Sequence, residues 1–159
     1  MKNNKLQNSR IARCITAVSA VLICFAFTSI SARADDVNLL ISFDENFTGS
    51  STIDGTTTLA GVFSDKGSRH QDFTTTQHGN EVIVTGTIHI TGSLGTLTTQ
   101  FTGSIPVGSN PTSIEGTEMI TGGTGAYASA SGKGTFEATI DFNTGNIVGV
   151  AELKAKTKK

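Results

Sequence analysis

Glu118 is the side chain in this sequence best placed to move a proton. It shares an alternation face with Ile114, Gly116 and Ile120, so on a β-strand whose apolar face lines an interior it enters mostly hydrocarbon surroundings. Burial penalises the charged carboxylate, which raises the pKa and makes the group a proton donor or acceptor near neutrality. Two other arrangements stay open: Glu115, Thr117, Met119 and Thr121 facing inward instead, or Glu118 at a wetted rim. Tyr127, the single tyrosine, can hydrogen-bond across the end of a β structure and is first a packing residue. Glu118 and Tyr127 together are the candidate ligand-binding residues, and Glu118 alone is a candidate acid.

Other chemistries find weaker support. His70 and Asp72 share a strand face at i, i+2, but zinc wants a third ligand and an outer shell that the sequence does not place, so no metal site is expected. His89 alternates with apolar neighbours that point it to solvent, and His78 precedes the turn residues Gly79-Asn80. No Gly-x-Ser-x-Gly nucleophile turn occurs after residue 34. Gly123-x-Gly125 imitates a dinucleotide loop but lies between strands rather than at the start of a helix, and Gly132-Lys133-Gly134 is not a phosphate loop. No cofactor is expected.

The elements that position these residues follow a targeting segment. Lys2, Lys5, Arg10 and Arg13 precede an apolar run from Ile15 to Ile30, and Ala32-Arg33-Ala34 has the small-x-small form of a cleavage site. The run is shorter than the roughly 20 residues that span a bilayer. Residues 1–34 are therefore expected to be a signal peptide removed after Ala34, giving a secreted or periplasmic protein with no membrane span. Cys14 and Cys24 would leave with it. So would five of the twelve cations and none of the thirteen acids, taking the net charge from −1 to −6. Residues 35–153 hold Lys66, Arg69 and Lys133 as their only lysines and arginines, while 154–159 form a basic tail. That acidic body lacks the clustered cations that nucleic acid requires.

All 18 glycines follow residue 34, threonine is abundant, and proline occurs only at 106 and 111. Period-two alternation recurs where no helical stripe does, which predicts an all-β domain over 35–153. Strands are expected at 37–47, 56–64, 69–77, 81–90, 96–105, 112–121, 134–142 and 147–153, separated by turn residues. Eight antiparallel strands can close a barrel, which removes the exposed edges; a two-sheet sandwich is the alternative.

The stretch from Gly116 to Gly134 joins a strand to Gly122-Gly123-Thr124-Gly125, then Tyr127, then a small-residue run through Ala130 and Gly132. It resembles the late-barrel signature of the allene oxide cyclase and dirigent-like superfamily. The resemblance implies an eight-stranded barrel and admits isomerase or cyclase activity; no catalytic residue carries over with it. Glycines 122, 123 and 125 are expected to supply positive φ and close backbone approach, with Gly132 completing the structural loop. The expected function is binding of a small, mainly apolar ligand in the barrel interior or rim. An isomerase or cyclase, and a structural or partner-binding surface protein, are the alternatives.

Overall fold

The computed structural model describes residues 37–156. The expected signal segment, with Cys14 and Cys24, lies outside the described residues, as do positions 157–159. Eight strands run β1 (Val37–Phe47), β2 (Thr52–Gly61), β3 (Asp65–His78), β4 (Glu81–Gly92), β5 (Gly95–Pro106), β6 (Thr112–Gly123), β7 (Ser131–Asp141) and β8 (Asn146–Lys156). Each pairs antiparallel with its sequence neighbour, and β8 pairs with β1 from Ala155↔Val37 to Asn146↔Asn46. The sheet is thus a closed up-and-down barrel, and the sandwich is excluded. β8 extends three residues past the boundary expected at 153, so Lys154 and Lys156 belong to the barrel wall. Among the described residues no helix is long and apolar enough to cross a membrane.

Alternation decides which side chains enter. Leu39, Ile41 and Phe43 of β1, Ile88 and Ile90 of β4, and Ala151, Leu153 and Ala155 of β8 are all buried, one residue in two along each strand. Inward glycines make room for the larger rings. A Cβ on Gly86 would meet the Phe101 ring at 2.7 Å, and one on Gly149 would meet the Phe43 ring at 2.5 Å.

The two barrel ends differ. At one, the short 62–64 and 93–94 connections and the longer 124–130 segment close the interior. The segment forms a 3₁₀ turn over Gly125–Tyr127 and drops the Tyr127 ring, fully buried, onto Phe63 with centroids 4.6 Å apart. Tyr127 Oη donates to Asp65 Oδ2 at 2.8 Å. Asp65 also accepts from Lys66 N, Ser93 N, Ser93 Oγ and Leu94 N. These donors, the Leu94 amide and Ser93 side chain foremost, hold its pKa well below the carboxylate range. Tyr127 is pushed the other way, by burial first and then by its hydrogen bond to Asp65.

The glycine segment needs one correction. Of Gly122, Gly123, Gly125 and Gly132, only Gly125 has positive φ, at +56°. A register shift between β5 and β6 beside Thr98/Thr99 pairs Thr99 with Ile120 and Thr98 with Gly122. The skipped residue, Thr121, moves the inward set of β6 from even to odd numbers, as a bulge does. Gly123 therefore lies under Tyr127, where a Cβ would come within 2.7 Å of the tyrosine Cβ, while Gly122 faces open space. Gly132 is bare because a Cβ would strike Lys154 O at 2.3 Å. Gly125→Val should lower stability by roughly 1–3 kcal/mol, since valine is strained at positive φ, whereas Gly122→Val should shift the urea midpoint little. Equal midpoints for the two variants would contradict this assignment.

Candidate functional site

The other end of the barrel, bounded by the 48–51, 79–80, 107–111 and 142–145 turns, opens into a cavity of about 340 Å³. Its walls are apolar: Phe43, Ile53, Val84, Phe101, Phe136 and Ile140 face it, and Phe73, Val107 and Phe142 stand at the mouth. Phe47 stacks on Phe142 with centroids 6.3 Å apart and meets Phe73 edge-on at 6.1 Å, so the rim is aromatic. A volume of this size lies at the lower end of small-molecule sites.

The floor is polar. Arg69 and Gln71 from β3 and Glu118 from β6 line it, and Glu45 from β1 and Thr99 from β5 back them from behind, every one buried. Arg69 Nη1 donates to Glu45 Oε2 at 2.5 Å, and Gln71 Nε2 donates to the same oxygen. The guanidinium also lies over the Phe43 ring, 4.0 Å from its centroid, a contact strengthened by low dielectric. Thr99 Oγ1 donates to Glu118 Oε1 at 2.6 Å. Glu45 Oε1, Arg69 Nε and Glu118 Oε2 have no hydrogen-bond partner. Such buried orphans are rare and costly.

Burial pushes both acids toward higher pKa. Burial lifts Glu45 to about 7 against the opposing pull of Arg69 and Gln71. Glu118 is raised as well, by burial first, with Arg69 and Thr99 pulling down. The floor thus carries one permanent cation, one carboxyl paired with it, and one carboxyl with no cation of its own. Such a group donates a hydrogen bond from its proton or passes that proton on.

Glu118 therefore faces the interior, 1% exposed, on the face it shares with Ile114 and Ile120. Tyr127 does not join it: it is absent from the cavity lining and serves the opposite, closed end. It follows β6 in the 3₁₀ turn Gly125–Tyr127, which carries it over the closed end of the barrel. Arg69, Gln71, Glu45 and Thr99 are the residues that sequence reasoning missed. For Glu45 a signal existed, because it continues the Leu39, Ile41, Phe43 alternation. His70 stays on the outer surface, its Nδ1 2.6 Å from Asp54 Oδ1 and its Nε2 3.6 Å from Asp72 Oδ2. The hydrogen bond to Asp54 raises the His70 pKa, and bonds from Thr48 and His70 lower that of Asp54. Comparison with protein-family models, curated proteins and solved structures finds no match to this chain.

Proposed function

We propose that the barrel binds a small, mainly apolar molecule through its open end and does not transform it. The observation that carries this reading is the division of the cavity surface: apolar walls, with Arg69 and Glu118 as the only charged side chains among the described lining residues. Apolar walls with a few convergent polar groups are the usual make-up of a small-molecule site. The resemblance of Gly116–Gly134 to the allene oxide cyclase and dirigent-like barrels admits the catalytic alternative instead. The expected signal segment adds that the protein works outside the cytoplasm.

One observation favours a second reading. Two ionisable groups converge on one apolar cavity, and Glu118 is pushed toward its neutral acid, which is the equipment of an isomerase or cyclase acting by positioning and proton transfer. Recovery of a bound compound unchanged from the purified protein supports binding; recovery of an isomer supports catalysis.

The binding test is titration with phenylnaphthylamine, a neutral dye that brightens in apolar surroundings. Wild type should bind it. Ala138→Phe, which projects a ring into the cavity from β7, should weaken binding by about tenfold while the circular dichroism spectrum stays that of wild type. Equal dye affinity in the filled variant would place the dye elsewhere and remove the cavity from the reading.

A further inference from the structure

Resting on that ligand-binding reading, we propose that the cavity selects a neutral molecule whose polar end is a hydrogen-bond-accepting oxygen, a ketone or ester carbonyl, over a carboxylate or an ammonium of equal length. The argument is a count of charges and of unpaired donors on the floor.

The buried charged side chains among the described residues are Glu45, Asp65, Arg69 and Glu118. Asp65 belongs to the closed end and is held there by its own donors. The floor accordingly holds one guanidinium and two carboxyl groups. Arg69 and Glu45 compensate each other at 2.5 Å. Glu118 makes no ion pair among the described residues, and burial pushes its carboxyl toward the protonated form against the more distant pull of Arg69. A charged ligand head would bring a further uncompensated charge into the same low-dielectric space.

The unpaired atoms point the same way. Glu118 Oε1 already accepts from Thr99, so Oε2, which has no partner, is the oxygen left to carry a proton when the acid takes one up. Arg69 Nε–H has none either. Both residues line the cavity. Glu45 Oε1 is also unpartnered, but Glu45 is not part of the lining. The two unpartnered atoms thus belong to residues that line the cavity, and a carbonyl oxygen, with two lone pairs, can accept from the Arg69 Nε–H and from a protonated Glu118. An ammonium brings only more donors, beside a guanidinium of like charge. A plain hydrocarbon leaves both donors unmatched.

The test is displacement of phenylnaphthylamine from the full barrel at about pH 8, where alkanoates are ionised and alkylamines protonated. The competitors are methyl heptyl ketone, octanoate, octylamine and nonane. The ketone should displace the dye at a concentration at least about tenfold below each of the other three. Glu45→Gln removes the charge that compensates Arg69, so octanoate should then overtake the ketone. Glu118→Leu removes one of the two donors and should narrow the lead of the ketone over nonane to less than about tenfold. Preference of the wild type for octanoate or octylamine overturns the proposal while leaving ligand binding intact, and so does a ketone no better than nonane. Failure of the dye and of every competitor to bind defeats the ligand-binding reading itself. The wild-type ranking decides the matter even if a floor variant does not fold.

Discussion

Arg69→Met should lower the unfolding free energy by about 3–5 kcal/mol near pH 8, the cost of leaving one member of a buried ion pair alone. Methionine retains the apolar contact with Phe43 but removes the only cation on the cavity floor. Glu45, at 0% exposure, then keeps Gln71 as its one partner. The carboxyl can escape by taking up a proton, so the loss should shrink near pH 5. Urea midpoints at the two pH values measure this directly. A second substitution, Glu45→Gln, made in the Arg69→Met background should recover part of the stability, because it removes the stranded charge, and the double-mutant cycle reports the coupling. A loss that is small at both pH values, or equal at both, would mean that the pair is hydrated and not a feature of a dry interior.

The wild type should lose stability as pH rises from about 4.5 toward neutrality. Glu45 moves from a value of 4.5 to about 7 on folding. A carboxyl whose folded pKa is raised stabilises the fold fully below its unfolded pKa, and that contribution is lost as pH climbs through the folded value. A shift of this size corresponds to about 3 kcal/mol. Glu118 acts in the same direction. So does His70, whose raised pKa supplies stability at low pH that is lost above its folded value. Asp54 and Asp65 act oppositely, since their lowered pKa values make the fold weaker only under more acidic conditions. The contribution of Glu45 is therefore read as a difference. The stability of Glu45→Gln should fall less than that of wild type between about pH 4.5 and 8, by about 3 kcal/mol. Parallel curves for the two proteins would show that Glu45 keeps an ordinary pKa.

The candidate site was legible in the sequence only where one strand face contrasts with the other. Glu118 could be found because Ile114, Gly116 and Ile120 surround it at period two, and Glu45 could have been found in the same way after Leu39, Ile41 and Phe43. Arg69 could not. On β3 the face holding Arg69 and Gln71 and the face holding Ser68, His70 and Asp72 are both polar, so alternation carries no information about which side is inward. Tyr127 packs and hydrogen-bonds across a barrel end, as its residue type suggests. That this is the end opposite the cavity could not be read, because it depends on how the 124–130 segment folds over the closed barrel.

By itself, the sequence determined the strand class, the eight segments and most of their inward faces, because period-two burial and turn-forming glycines are local properties that each strand declares without its neighbours. Only the tertiary structure decided that the sheet closes from β8 to β1, that one end is plugged by Tyr127 over Asp65, and that the other stays open. It also decided the site. Glu45, Arg69, Thr99 and Glu118 come from four strands, and whether they meet depends on interstrand register and closure. Those are set by the summed fit of all eight strands, which the pattern of any one strand cannot report.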